Sequence, residues 1–503
     1  MKGSSATTTG PASVVLDPLG LVDLLRTACC FLSLGLISGT YIQYAGELVK
    51  YGRTANPSVE PPRVEDFLRL PFLVGTFCAP VFGLALDWID VKKALCGSGL
   101  AVVAGLFALG QFPFFPAALF LLAALSCQRL AAYTLLATNC HGNGWDRYGR
   151  AFCGAGALEI LGIYVALQVT NLSWATHYAA GARCRGICVD FKFAFHLVLP
   201  VITVLCTSLS ALARTPTIRH RTQPLENSAR GAAGDTPMIR VPRSGSGARL
   251  CYVVAFASSC CWACLFFHGS LFISKELFLV YNVFREDVRT MGSPMLDAPL
   301  PLDDPAKESY ALASSLSSFF LAAAGMTCVV LFLSKYVDGH YLMSRLYCDV
   351  GSNLLCANLL LPFLFVSYPL RSLLYVWSLA LGVAFALHLV LPGLIVTRYI
   401  VPNPTALFRC SAHKYLAGLL FTQNVGFLFS SFLGSYFYSN IYQSFSGVFV
   451  LFAAILLCIN ALVVKTLAAK EQEITRVKMG LEGASEVDDA PGGRLAQTRG
   501  GPE

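Results

Sequence analysis

Charged residues within long apolar runs are the clearest candidates for chemistry in this chain, and two stand out, Arg129 and Glu159. An ionised side chain far from water is costly, so each is a candidate functional group. They fall near the middle of consecutive runs, and antiparallel packing of those runs would pair them. A guanidinium there can bind a substrate carboxylate, while a buried carboxyl group can act as its counter-ion or carry a proton. The alternative is a permanent structural ion pair.

Uncharged polar residues within the apolar runs form a second set of candidate ligands. His388 lies mid-way along its run, where it either contacts a substrate or serves as a hydrogen-bonded core residue. Tyr41 and Tyr44 either line a vestibule or belong to an aromatic belt at the membrane interface. The remaining candidates are Gln128, Gln423 and Asn424.

The composition defines the class of protein that must position these residues. Of 503 residues, 55% are hydrophobic and 13% are charged, with a mean hydropathy of +0.61. Soluble domains carry about 25% charged residues, so a multi-pass membrane protein is expected. The 19 cysteines scatter through apolar segments, where a thiol behaves as a small hydrophobe, and we expect no metal or other cofactor. Nucleotide-binding, zinc and hydrolase motifs are also missing from the sequence, which argues against an enzyme or an ATP-driven pump.

Twelve apolar runs are long enough to cross a membrane, which needs roughly 20 residues. They predict an all-α membrane fold of two six-helix bundles. The runs are 24–46, 67–87, 94–112, 115–138, 150–171, 192–213, 250–273, 311–334, 348–367, 371–397, 412–436 and 442–465. The fifth run is interrupted by Glu159.

A basic segment rich in Gly, Pro and Ser separates the sixth and seventh runs. We therefore predict an N-terminal bundle over residues 1–213, a disordered cytoplasmic linker over 214–248, a C-terminal bundle over 249–466 and a disordered cytoplasmic tail over 467–503. Such halving is typical of transporters built from repeats.

The distribution of Lys and Arg predicts the orientation in the membrane. These residues are more frequent in the segments that are cytoplasmic when the N-terminus is cytoplasmic, so both termini should lie inside. An anionic lipid surface explains the net charge of +8 without nucleic acid. We expect a monomer, in the plasma membrane or an organelle membrane.

The sharpest local pattern follows the second run: Gly83, then Asp87, then Lys92 and Lys93. A carboxylate at a helix end can bind neighbouring helix N-termini and cations, forming a cytoplasmic latch between moving parts. We predict that Asp87 pairs with Lys92, Lys93 or Arg147. Further latch candidates are Arg150 and Asp338, the latter in the corresponding turn of the second half.

This pattern resembles the turn between helices two and three in the major facilitator superfamily. It departs from that signature at Trp88, Asp90 and Val91. The resemblance implies twelve helices, alternating access to a central cavity, and helices one, four, seven and ten around that cavity.

Three fragments resemble the nodulin-like and monocarboxylate-type branch of that superfamily. They are Ser38-Gly39-Thr40-Tyr41 with Gln43 and Tyr44; Thr138-Asn139 followed by Arg147, Gly149, Arg150 and Gly154; and Ser411 to Tyr415 followed by Gly418, Gly426 and Leu433 to Tyr436.

The predicted outer loop between helices five and six carries possible modification sites. Asn171-Leu172-Ser173 is a glycosylation sequon, with Asn171 too near the membrane for efficient modification. Cys184 and Cys188 in the same loop either form a disulfide or remain free thiols.

Together these features predict a secondary transporter that moves a small organic solute by alternating access. Arg129 favours an organic anion such as a monocarboxylate, and Glu159 allows proton coupling. The alternatives are an amino-acid or other zwitterion carrier and a non-transporting membrane receptor, with a membrane-embedded enzyme third. Substrate uptake by the purified protein would exclude the receptor.

Overall fold

Twelve helices make up the fold in the part of the chain that the structure describes. The computed structural model describes residues 21–55, 64–111, 115–141, 145–179, 193–213, 245–271, 305–333, 343–361, 371–398, 412–437, 440 and 445–489. The first six helices are α1 Leu21–Ala55, α2 Val64–Ala85, α3 Val91–Gln111, α4 Phe115–His141, α5 Trp145–Ala179 and α6, a π-helical turn Ala194–Val198 continued by Leu199–Leu212. The others are α7 Gly245–Leu271, α8 Pro305–Leu333, α9 (Met343–Arg345, π-helical Leu346–Ser352 and Asn353–Leu360), α10 Arg371–Arg398, α11 Ala412–Phe437 and α12 Phe445–Asp489.

The predicted all-α membrane fold is confirmed. Within the described ranges, 11 of these helices are long and apolar enough to cross a membrane, and α9 is the twelfth. Each corresponds to one predicted run. Helix α5 is continuous despite Glu159, because the charge is neutralised within the bundle and the backbone needs no break.

Small residues bring α1 and α5 into backbone contact. A Cβ atom added at Gly35 would lie 2.0 Å from the carbonyl oxygen of Glu159, and one at Gly162 would lie 2.4 Å from that of Leu32. Gly39 lies one turn further along the same face, where an added Cβ atom would lie 3.1 Å from the carbonyl oxygen of Ile163. Stripes of small residues are the usual means of close helix packing in lipid, where no hydrophobic force drives association. This crossing fixes the position of Glu159.

The two halves contact each other mainly through α2 with α11 and α5 with α8. A Cβ atom at Gly83 on α2 would lie 2.7 Å from the Cβ of Ala417 on α11. On the other pair, Gln168 of α5 donates a hydrogen bond to Ser318 of α8 over 2.7 Å. The main contacts between the halves are therefore made by the second and fifth helices of each bundle.

The last helix is longer than predicted, because α12 continues to Asp489 where a disordered tail was expected from residue 467. Its extension is anchored by Glu471, whose carboxylate accepts hydrogen bonds from the backbone N–H groups of Met343 (3.0 Å) and Ser344 (2.8 Å) and from the Ser344 hydroxyl. These are otherwise unpaired donors in the first turn of α9. Leu467 is also buried, so the helix remains packed beyond the predicted membrane span.

The sequon at Asn171 was wrongly placed in a loop, because α5 runs on to Ala179. The segment after Gly162 contains no further Gly and no Pro, so nothing in its sequence breaks the helix. The side chain of Asn171 lies outside the described residues, as do the side chains of Tyr44 and Arg147, the loop cysteines Cys184 and Cys188, the latch candidate Asp338 and most of the predicted linker 214–248.

Candidate functional site between the two halves

The structure joins the two charges that the sequence singled out. The guanidinium of Arg129 on α4 donates a hydrogen bond to Oε1 of Glu159 on α5. The two side chains differ in access, since Arg129 is 35% exposed and Glu159 only 3%. The second oxygen of Glu159, Oε2, has no hydrogen-bond partner among the described residues. The pair therefore presents a reachable cation backed by a buried carboxylate.

Neighbouring residues place this pair at the boundary between the halves. Gly156, one turn before Glu159 on α5, approaches Cys328 of α8 and Val390 of α10. Ile160, directly after Glu159, lies against Gly325 of α8. The spans of α4 and α5, Phe115–Thr138 and Gly149–Gln168, put both charges near mid-membrane.

Tyr133 is a member of this site that sequence reasoning missed. It lies one helical turn after Arg129 on α4, within electrostatic range of both charges. Its ring packs edge-on against Phe31 of α1 at 4.7 Å and is stacked on Phe152 of α5 at 6.1 Å between ring centres. The four-residue spacing from Arg129 was the available signal, because residues so spaced share one helix face.

The predicted ligand Gln128 faces away from the inter-half boundary. Its amide nitrogen donates a hydrogen bond to the Thr207 hydroxyl of α6 over 2.9 Å, and the side chain is fully buried. Adjacent helical residues point about 100° apart, so Arg129 and Gln128 cannot share a face. The structure gives Gln128 a packing role within the N-terminal bundle.

Tyr41 occupies neither a vestibule nor an aromatic belt. It is 2% exposed, and its hydroxyl donates a hydrogen bond to the carbonyl of Phe67 over 3.1 Å. Pro71, four residues after Phe67, has no N–H to donate to that carbonyl. The tyrosine therefore satisfies an acceptor that proline leaves open in α2.

His388 lies within the C-terminal bundle, packed between α7 and α9. Its Nδ1 is 2.7 Å from the carbonyl oxygen of Ala384, while Nε2 has no partner among the described residues. Its ring packs edge-on against Tyr347 of α9 at 5.2 Å and against Trp262 of α7 at 5.8 Å. The role of a hydrogen-bonded core residue accounts for the contact of Nδ1 but not for the unpaired Nε2.

The two amides of α11 are half-buried, and Asn424 contacts the opposite half. The amide nitrogen of Asn424 lies so close to Gly75 of α2 that a Cβ there would be 2.4 Å away. Gln423 adjoins it on the same helix. The geometry thus makes Asn424 a contact between the halves.

Asp87 contacts the opposite half through partners that were not predicted, and its role as a latch stays a prediction. One carboxylate oxygen is 2.8 Å from Nε2 of His413 and the other 2.8 Å from Nζ of Lys414, both at the start of α11 in the opposite half. These contacts with Lys414 and His413 lower the pKa of Asp87 below its ordinary value of 3.8. Lys92 instead donates to the carbonyl of Ala213 over 2.7 Å.

The turn after α2 explains why the nearby lysines are unavailable. Asp90 caps α3 by accepting a hydrogen bond from the backbone N–H of Lys92 over 3.0 Å, which directs the lysines along α3. Lys93 is exposed, and Arg150 is half-buried at the start of α5. The signal for the true partners was the pair of basic residues His413 and Lys414 at the predicted start of helix eleven.

The opposite end of the same helix pair is held by aromatic contacts that the sequence did not indicate. Arg69 of α2 lies over the ring of Phe432 of α11 at 4.8 Å and that of Phe267 of α7 at 5.6 Å. Phe72 stacks on Phe427 with ring centres 4.3 Å apart. We call this set of residues the Arg69 end of the helix pair. The contacts of Asp87 with His413 and Lys414 form the Asp87 end.

Comparison with known structures defines the fold. No protein-family model and no curated protein sequence matches the chain. The structure is similar to the Major Facilitator Superfamily transporter FucP in the outward conformation, with a TM-score of 0.52 at 11% identity over 89% of this chain and 98% of FucP. It is similar to the human organic anion transporter MFSD10 (TETRAN), with a TM-score of 0.52 at 13% identity over 88% of this chain and 98% of that one.

A further crystal structure, of a variant of the E. coli fucose:proton symporter FucP, has a TM-score of 0.50 at 10% identity over 89% of this chain and 98% of that one. The chain is thus a multi-pass membrane protein with the fold of Major Facilitator Superfamily transporters. The nodulin-like branch stays a prediction.

Proposed function

We propose that this protein is a secondary transporter of small organic anions in which Arg129 binds the substrate carboxylate. The observation that carries the proposal is the unequal exposure of the central ion pair, 35% for Arg129 and 3% for Glu159. An incoming anion can reach the guanidinium, while its counter-charge remains shielded. A purely structural pair would gain nothing from leaving the cation accessible.

Arginine suits this task because its planar guanidinium can hold two carboxylates at once or exchange one for another. Glu159 uses one oxygen for Arg129, and its other oxygen is unpaired among the described residues. When substrate draws the guanidinium away, the buried carboxylate loses its counter-charge and takes up a proton. This exchange would couple anion movement to proton movement.

Alternating access would come from rocking residues 1–213 against 249–503. The contacts at the Asp87 end and at the Arg69 end would open in turn, exposing Arg129 to one side and then the other. Both termini would face the cytoplasm, with the protein acting as a monomer in the plasma membrane or an organelle membrane.

The structural neighbours support the choice of probes. MFSD10 is described as an organic anion transporter and FucP as a fucose:proton symporter. Organic anions and a proton gradient are therefore the first conditions to test, with amino acids included for a zwitterion carrier.

The test is uptake of radiolabelled monocarboxylates, amino acids and sugars into proteoliposomes, with and without a pH gradient. We expect monocarboxylate uptake that Arg129→Gln abolishes, whereas Glu159→Gln keeps substrate binding and removes the dependence on pH. Arg26→Gln is the matched control, because Arg26 pairs with Asp23 at the start of α1 and is 49% exposed.

Protein amount and melting temperature must be measured for every variant. Leaving one charge unpaired in the bundle is destabilising, so a structural pair predicts that both single variants fold poorly. Recovery of both folding and uptake in the double variant Arg129→Gln, Glu159→Gln would refute a direct role for the pair in transport.

A further inference from the structure

A second set of polar atoms lies in the C-terminal bundle, apart from the Arg129 and Glu159 pair. His388 is 6% exposed, and its Nδ1 lies 2.7 Å from the carbonyl oxygen of Ala384. A carbonyl oxygen only accepts, so Nδ1 carries the proton. In the neutral ring Nε2 is then an acceptor, and it has no donor among the described residues.

The neighbouring Trp262 has a hydrogen-bond donor that complements the acceptor Nε2 of His388. Its Nε1–H is a donor only, is buried, and has no acceptor among the described residues. The Trp262 and His388 rings pack edge-on with centres 5.8 Å apart. A buried acceptor and a buried donor on adjoining rings each cost free energy while they are unpaired, and a group that both donates and accepts can pair with the two. A hydroxyl group has that chemistry.

The surroundings of this pair favour an apolar body attached to the hydroxyl. The Trp262 ring also contacts Phe385 of α10 at 5.4 Å and Phe320 of α8 at 6.4 Å, and all three side chains are half-buried. Pro392 cannot donate the hydrogen bond that would normally close the turn at the His388 carbonyl. The helix backbone there adds a further acceptor.

The cluster borders the proposed anion site. Leu389 and Val390, which directly follow His388, pack against the position of Gly156 on α5. Gly156 precedes Glu159 by less than one helical turn. A small molecule that contacts both Arg129 and the pair of Trp262 and His388 would therefore have to span this contact between α5 and α10.

We infer that Trp262 and His388 form a hydroxyl-binding subsite, so that the preferred substrates are hydroxylated carboxylates rather than plain ones. The inference rests on the proposed function and names its substrate class. The substrate oxygen accepts from Trp262 Nε1–H and donates to His388 Nε2. The carboxylate lies on Arg129, and the apolar part packs on Phe320 and Phe385. Contact with both halves at once would let such a substrate stabilise a closed intermediate.

The test compares matched acids that differ by one hydroxyl group. Plain carboxylates from butyrate to octanoate and their ω-hydroxy counterparts are titrated into the purified full-length protein by calorimetry. We expect the best hydroxylated acid to bind about tenfold more tightly than its plain partner, as one or two net buried hydrogen bonds provide. His388→Phe and Trp262→Phe should each remove this preference, because both keep an aromatic ring and lose one polar atom.

Trp377→Phe is the matched control. The Trp377 Nε1–H on the same helix as His388 already donates to the carbonyl of Asn358 over 2.9 Å, so its loss should leave the hydroxyl preference unchanged. If His388→Phe does not fold, Trp262→Phe carries the same test. A preference that survives in a folded His388→Phe or Trp262→Phe variant overturns the subsite.

The outcomes separate the subsite from the proposed function. Equal affinity for plain and hydroxylated acids, lost in Arg129→Gln, overturns the subsite and leaves the anion site standing. Binding that Arg129→Gln does not weaken contradicts the anion site itself. A preference that His388→Phe and Trp262→Phe abolish, with both acids weakened by Arg129→Gln, supports both.

Discussion

The same two helices, α2 and α11, are joined by different physical forces at their two ends. At the Asp87 end a carboxylate contacts two basic side chains at 2.8 Å each, and Lys414 is 48% exposed. At the Arg69 end the contacts are a cation over two aromatic rings, 3.5 Å hydrogen bonds from Arg69 to the Ser431 carbonyl and the Ser435 hydroxyl, and a stacked phenylalanine pair. One end depends on a single carboxylate, whereas the other distributes its attraction over several rings.

This difference predicts how each end should respond to a substitution. Both contacts at the Asp87 end share one carboxylate, so its loss removes both at once, and solvent screening of these exposed charges keeps the effect small. Aromatic packing is the sum of many small contacts, so the Arg69 end should weaken in steps. In the proposed transport cycle both ends must open, and this asymmetry would make the Asp87 end the easier one to control.

The largest expected effect comes from separating the helices beside the Asp87 end. In Gly83→Val the new Cβ would meet Ala417 Cβ at 2.7 Å, and such overpacking costs about 1–3 kcal/mol. We expect a lower melting temperature and faster maleimide labelling of an Ala412→Cys reporter, because Ala412 precedes His413 on α11 and is 1% exposed. Gly97→Ala is the control, because nothing lies within 4 Å of a Cβ there. Unchanged labelling of the Ala412→Cys reporter in Gly83→Val would show that the close approach does not hold this end shut.

An intermediate effect is expected from Arg69→Gln at the other end. Each cation and ring contact contributes about 0.5–2 kcal/mol, and the Phe72 and Phe427 stack remains in the variant. Labelling of a Leu428→Cys reporter, half-buried beside Phe427, should therefore rise modestly, and adding Phe72→Leu should raise it further. The comparison between the ends fails if Arg69→Gln alone opens this end as fully as the double variant.

The smallest effect is the pH response of the Asp87 end. The pKa of Asp87 is lowered by Lys414 and His413, so its stabilising contribution is complete above the ordinary value of 3.8 and is lost as pH falls through the lowered pKa. Labelling of the Ala412→Cys reporter by dithiodipyridine, which still reacts with thiols in acid, should rise below about pH 4 in the otherwise native protein. Asp87→Asn should already label faster at neutral pH and lack the additional rise in acid. Identical acid responses of the two proteins would assign the change to other groups.

Whether a contact could be predicted from the sequence depends on the kind of contact. The pairing of Arg129 with Glu159 was predictable, because two lone charges at similar depth in consecutive antiparallel helices have few other partners. The partners of Asp87 were not, since His413 lies 326 residues further along the chain. Gln128 and Tyr41 were assigned to the site by polarity and depth, yet Thr207 and the Phe67 carbonyl hold them inside the bundle.

Residue order and composition were sufficient to establish the twelve helices, because a backbone in lipid must satisfy its hydrogen bonds internally and only long apolar helices do so here. They also marked Asp87 as a contact residue and Arg129 as a candidate ligand. Rotation of each helix about its axis was decided only by packing, through close approaches such as Gly35 to Glu159 and Gly75 to Asn424. That rotation directs Arg129 toward the boundary and Gln128 away from it. It also sets Trp262 beside His388, because side chains on different helices meet only after the bundle has formed.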